Sequence, residues 1–282
     1  AASDSILLSE PPMLLATVIS NTPPTCTGGN DGTATGVAAG GTGSYTYVWT
    51  PASGNGPTGI GLSAGTTILY VSDANGCTAS DSVMLVDPPA ILVSVASSTD
   101  PTCFGESNGT ATGSAAGGTG TYSYSWSPSG GTGATGTGLS AGVTYNVIVT
   151  DGNGCNGTDT VTLSEPPILS SSIIATINPG CIGSSNGEAT VGVSGGTPPY
   201  SYFWVHDGGT SATGTGMSSS INYVVTITDS NNCTINDTVV LGQNIPMIPT
   251  TTGSNVCFGS STDLEVSVTG GLAPYSYLWD NA

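Results

Sequence analysis

An all-β chain organised as a tandem array is what the sequence predicts, and three observations carry that expectation. One is a period. The Trp residues fall at 49, 126, 204 and 279, in steps of 77, 78 and 75. The first cysteine of each unit (26, 103, 181, 257) and the second (77, 155, 233) keep the same spacing, so three independent markers define a repeat of about 77 residues. The second observation is alternation. Tyr122, Tyr124 and Trp126 share one face of a run whose other face is Ser123 and Ser125, and Val147 with Val149, then Val161 with Leu163, repeat the pattern. A period of two is a strand. The third is that no segment sustains a helical period.

The second unit shows each element in order. Ile91–Ser97 alternates and opens the unit, and Asp100-Pro-Thr-Cys103-Phe-Gly is a loop before a strand at Asn108-Gly-Thr-Ala-Thr. Gly117-Gly118 turns the chain into the Tyr122-Ser-Tyr124-Ser-Trp126 strand, and a Gly/Thr stretch runs to Leu139-Ser-Ala-Gly142. Tyr145-Asn-Val-Ile-Val149 and Asp159-Thr-Val-Thr-Leu163 flank the turn Asp151-Gly-Asn-Gly154-Cys155, whose Asn-Gly pair is a strong hairpin signal. Pro166-Pro167 then ends the unit. About seven short strands with a Trp in the third describe a small immunoglobulin-like β-sandwich, with Trp49, Trp126, Trp204 and Trp279 as core anchors. Repeats strung through Pro-Pro linkers predict an extended rod. The boundaries read as 1–12 for the last strand of a preceding repeat, 13–89, 90–167 and 168–246 for three whole repeats, and 247–282 for the first half of a fourth. Either a longer array surrounds these residues or copies complete one another by strand donation.

Composition narrows the function. The 282 residues hold 18 Asp and Glu but no Lys or Arg, a formal net charge of -18. Nucleic-acid binding relies on cations against phosphate, so it is excluded. A P-loop lysine, an arginine finger and a basic membrane patch are excluded on the same ground. No apolar run approaches the ~20 residues that span a bilayer as a helix. A low charged fraction of 6% with 37% apolar residues is not a disordered composition.

The motifs Cys-x-Gly-x-x-Asn-Gly, Gly-Gly-Thr-Pro-Pro-Tyr-Ser-Tyr-x-Trp and Thr-Asp-x-Asn-Gly-Cys, with a Pro-bounded last strand, resemble the SprB repeat of gliding-motility adhesins and other giant surface proteins exported by the type IX system of Bacteroidetes. The third copy carries it most fully, in Cys181-Ile-Gly183, Gly195-Gly-Thr-Pro-Pro-Tyr200, Trp204 and Asp229-Ser-Asn-Asn-Cys233. The first two copies depart from it, with Thr-Gly-Ser or Thr-Gly-Thr in place of Thr-Pro-Pro. The resemblance implies an extracellular tandem-repeat adhesin or filament, no enzymatic activity, and no ligand residues defined well enough to carry over.

Regular cysteine pairs in a secreted chain mean disulfides; zinc would want closer spacing. Two pairings stay open. One joins Cys26 to Cys77, Cys103 to Cys155 and Cys181 to Cys233 within repeats. The other joins Cys26 to Cys155 and Cys103 to Cys233, because the final hairpin of an immunoglobulin-like unit faces the preceding unit across the linker. Topology tilts toward the second, and Cys257 lacks a mate in either.

Asp73, Asp151 and Asp229 in the turns, with Glu10, Asp87 and Glu165 in the linkers, are candidate calcium ligands as hard oxygen donors. The alternative is an Asx turn satisfied by backbone N–H groups. No other cofactor is expected. The Asp-Ser/Thr-aliphatic triplets resemble the O-glycosylation acceptor of Bacteroidetes, a resemblance that implies Ser5, Ser82, Thr160 and Thr238 as candidate sites, against plain strand alternation. The Tyr-x-Tyr-x-Trp run reads as core rather than as a sugar platform, and His206 stands alone, so no triad recurs.

The function expected is an extracellular adhesive or structural rod, with a polymerising short subunit and a carbohydrate-binding array as alternatives. Its expected partners are copies of itself, other surface-filament components, or surface polysaccharide.

Overall fold

The computed structural model describes residues 6, 9–51, 54–206, 208–271 and 273–279. Among them every regular element is a strand. The first repeat holds β1 (Leu15–Thr22), β2 (Gly32–Ala39), β3 (Thr46–Thr50), β4 (Thr58–Leu62), β5 (Gly65–Ser72) and β6 (Thr78–Leu85). The second holds β7 (Leu92–Thr99), β8 (Gly109–Ala116), β9 (Ser123–Ser127), β10 (Thr135–Leu139), β11 (Thr144–Thr150) and β12 (Asn156–Thr162). The third holds β13 (Ser170–Ile177), β14 (Gly187–Ser194), β15 (Ser201–Trp204), β16 (Thr213–Met217), β17 (Asn222–Thr228) and β18 (Thr234–Val240). A two-stranded sheet follows, β19 (Ile248–Thr252) with β20 (Glu265–Thr269).

Each complete repeat is a six-stranded sandwich rather than a seven-stranded one. Its first sheet has the order β1-β2-β4 and its second β3-β5-β6, and the later repeats copy that order. All pairings between named strands are antiparallel. Alternation decides which side chains face inward. In the second repeat Trp126, Leu139, Tyr145, Val147, Val149 and Leu163 are buried, with Tyr122, Tyr124 and Val161 packed against them. The first and third repeats build the same core around Trp49 and Trp204.

Those tryptophans need a flat facing wall. A Cβ at Gly59, Gly136 or Gly214 would lie 2.8 Å from the ring of Trp49, Trp126 or Trp204, so the first glycine of the fourth strand's Gly-x-Gly is a packing requirement, while the second, Gly61, Gly138 or Gly216, has a positive φ. Trp279 departs from the expectation of a core anchor. It is 52% exposed, and among the described residues no counterpart of the glycine-bearing fourth strand covers its ring.

The chain divides into two compact units. One comprises residues 1–99 with 108–163, hence the first two sandwiches. The other comprises 100–107 with 164–282, hence the third sandwich, the Cys103 loop and β19–β20. The strand expected at 1–12 lies mostly outside the described residues.

Candidate functional site at the repeat junctions

Within the first unit, the loop before β2 and the turn after β11 meet. Cys26 is bonded to Cys155, with Cα atoms 5.6 Å apart. Within the second unit the same loop and turn, one repeat on, join Cys103 to Cys233 at 5.7 Å. The pairing therefore runs from one repeat to the next, and Cys77, Cys181 and Cys257 are unbonded and exposed. The linker is fastened to the same loop. Thr27 donates its hydroxyl to the carbonyl of Pro88, and Asp87 accepts from the N–H of Gly28. In the second unit Glu165 accepts from the N–H of Gly105, and the Asn231 amide donates to the carbonyl of Thr102.

The turn is built by one buried carboxylate. Asp151 Oδ1 accepts from the N–H groups of Asn153 and Cys155, while Oδ2 accepts from Thr119 of the facing Gly-Gly-Thr loop. Asp73 and Asp229 repeat this set with Asn75, Cys77 and Thr42, and with Asn231, Cys233 and Thr197. Burial raises the pKa of Asp73 and Asp151, but the backbone N–H donors together outweigh it and hold both below the usual 3.8. Those donors are the N–H groups of Thr42, Cys77, Asn75 and Gly76 at Asp73, and of Thr119, Cys155, Asn153 and Gly154 at Asp151.

That saturation answers the calcium expectation. A carboxylate already facing N–H dipoles on both oxygens offers a cation few free lone pairs. Glu10 is exposed, and Asp87 and Glu165 are turned to the glycine N–H groups of the loops. Asp87 Oδ1 is buried without a protein partner, yet no group of three Asp, Glu, His or Cys side chains that could hold a metal forms among the described residues. The donor set does not fit calcium.

The last strand hides a contact that the sequence reading missed. β1 breaks register between Val18 and Ser20, and the N–H of Val18 donates to Asp81 of β6 at 2.7 Å. Val95 donates to Asp159 in the same way. The N–H groups of Val18 and Ser82, and of Val95 and Thr160, hold these two carboxylates below 3.8 against a smaller effect of burial. In the first two repeats the acid of the Asp-Ser/Thr-aliphatic triplet thus ties the edges of the two sheets together, whereas Asp237 of the third accepts from its neighbour Thr238. Its recurrence one residue before each Ser or Thr was the available signal. Ser82, Thr160 and Thr238 are exposed on that strand, and Ser5 lies outside the described residues.

The aromatic run points inward, its first tyrosine included. Tyr45, Tyr122 and Tyr200 donate their hydroxyls to the carbonyls of Gly40, Gly117 and Gly195. His206 stacks edge-on to Tyr223 at 6.3 Å.

No curated protein matches this chain. Among solved structures it is similar to the N-terminal eight Ig domains of Down Syndrome Cell Adhesion Molecule, at 14% identity and a TM-score of 0.28 over 94% of this chain; it spans 46% of that chain. It is also similar to a complex of Dpr2 Ig1-Ig2 with DIP-Theta Ig1-Ig3, at 13% identity and 0.28 over 81% of this chain and 99% of that one. Protocadherin Gamma B7 cadherin domains 1-4 match at 11% and 0.22, over 83% and 72%.

The SprB repeat profile matches residues 19–54, 95–133, 174–209 and 250–282, in each case from within the first strand to beyond the Trp residue. Disulfides agree with an extracellular setting, and the repeat fold points to a structural rather than an enzymatic protein. With four matches covering just over half of its length, the chain belongs to the SprB repeat family.

Proposed function

We propose that the chain is a load-bearing segment of an extracellular rod, part of a giant cell-surface adhesin or a secreted filament. The observation that carries this reading is the disulfide pattern. Each bridge fastens the loop of one repeat to the turn of the next, so tension on the chain meets a covalent tie as well as a sandwich. The chain has no lysine or arginine and cannot brace itself with ion pairs to either. Gliding motility and type IX export are what the family adds to this reading. Its partners are then copies of itself, other filament components, or surface polysaccharide at a separate tip.

Glycans on Ser82, Thr160 and Thr238 would shield strands that carry no cations. The experiment is the intact mass of the native protein with and without reductant. A reduced mass far above 27.6 kDa supports the giant adhesin, a reduced mass near it supports a polymerising short subunit, and sugar-sized increments support the acceptor sites. A carbohydrate-binding array is less favoured, because Tyr122, Tyr124 and Trp126 face the core.

A further inference from the structure

We propose that the first and last strands of each sandwich are rails that carry tension, and that Asp81 and Asp159 pass load between the two rails of their sandwiches. The four inner strands then stand outside the force path. This rests on the load-bearing reading above and names the strands and residues that carry it out.

Covalent connectivity lays out the rails. In the first unit one rail runs along β1 to Cys26, steps across the disulfide to Cys155 and continues along β12. The other is unbroken backbone, from β6 through Pro88-Pro89 into β7. Neither passes through an inner strand. Each rail alternates a first strand with a last strand, and residues 27–76 and 104–154 lie between the rails as side loops. A strand already rises about 3.3 Å per residue, close to the limit of ~3.3–3.6 Å for a fully extended chain, so a rail has almost no length to yield.

Load changes rails by shear between neighbouring strands, β1 against β6 and β7 against β12. The second pair runs side by side in one direction. At its start Ala90 and Ile91 line one cleft with Cys155 and Asn156, and just past its end Ser164 donates its N–H to Asp100. The strands of each pair belong to different sheets, so no backbone ladder joins them. What crosses midway is a hydrogen bond to a charged acceptor, roughly twice as strong as a neutral one. The β1 ladder breaks register there, between Val18 and Ser20, and Val18 donates its N–H to Asp81 at 2.7 Å. Val95 and Asp159 repeat the break and the bond. Folding does not require this bond. The third sandwich has the same strand order and the same break, yet its Asp237 accepts from the adjacent Thr238.

With both bridges closed, load can change rails in any sandwich and the crossings share it. Opening Cys26–Cys155 cuts one rail at Cys26. All the load then crosses in the first sandwich and follows β6, β7 and Cys103–Cys233 past the second. The test is a constant-force measurement on the full chain carrying Cys26→Ser and Cys155→Ser, held by its two ends without reductant. Yielding of the first sandwich is recognised by the 63 residues of separation between Val18 and Asp81, a lengthening of about 210 Å at ~3.4 Å per residue. Adding Asp81→Asn should raise the rate of that step about tenfold, and adding Asp159→Asn should leave it unchanged. In urea both substitutions should lower the midpoint, so a merely structural role would move both rates. An equal effect of the two, or no effect of Asp81→Asn, overturns the proposal. The parent chain tests the load-bearing reading separately: that reading fails if reductant leaves the length under force unchanged, whereas the rails fail on the contrast between Asp81 and Asp159.

Discussion

Pulling the chain from its two ends reads the disulfide topology directly. Three backbone segments connect the bridges: Cys26 to Cys103, Cys103 to Cys155, and Cys155 to Cys233, of 77, 52 and 78 residues. With both bridges closed, all three run between the same two covalent knots. The 52-residue segment therefore bears the load while the other two stay slack. Reducing both bridges releases about 155 residues, or ~530 Å at roughly 3.4 Å per residue. That total alone does not identify the pairing, because bridges within repeats would hide the same length.

Single substitutions separate the two. Cys77→Ser leaves the extended length unchanged under the observed pairing, whereas pairing within repeats would lengthen it by about 170 Å. Cys103→Ser moves the load to the 78-residue segment and adds only about 90 Å, against about 180 Å for the other scheme. The assay is single-molecule force extension to full unfolding, without and then with reductant. A gain near 170 Å for Cys77→Ser, about one repeat's worth of hidden chain, would refute the reasoning. In the chain-entropy account each bridge alone contributes about 5 kcal/mol, and the pair less than twice that because their loops overlap.

Other outcomes follow from the packing and the carboxylates. Gly136→Ala places a methyl group against the ring of Trp126 and should cost about 1–3 kcal/mol in urea unfolding, with the same expected for Gly59→Ala at Trp49. Tyr200→Phe removes a hydroxyl bond to Gly195 and should cost about 1 kcal/mol, read as a lower urea midpoint at unchanged slope. Acid should destabilise the fold in a defined window. The lowered Asp73, Asp81, Asp151 and Asp159 stabilise fully above the unfolded value of 3.8, and that contribution is lost as pH falls through their lower folded values. Thermal melts in screening salt should show it as a fall confined below about pH 4. Chelator should leave the melting temperature unchanged; a drop reversed by calcium would overturn the saturated-turn account.

The repeat, the strands and the inward aromatic run were legible because each leaves a mark of fixed period along the chain. Cys26, Cys103 and Trp126 recur in register, and Tyr124 alternates with Ser125. The partners of those residues were less legible, because a pairing is a relation between distant positions that spacing alone leaves open. Cys77 and Cys155 have identical local turns, and only the placement of two sandwiches assigns Cys155 to Cys26. The acids stayed open between two readings for a related reason. An Asp at a turn or linker looks the same whether its oxygens face a cation or a row of N–H groups, and the choice depends on Thr119 or Val95 arriving from another strand. Glycine hides its partner in the same way, since Gly136 is there because a tryptophan ring occupies the space of its missing side chain.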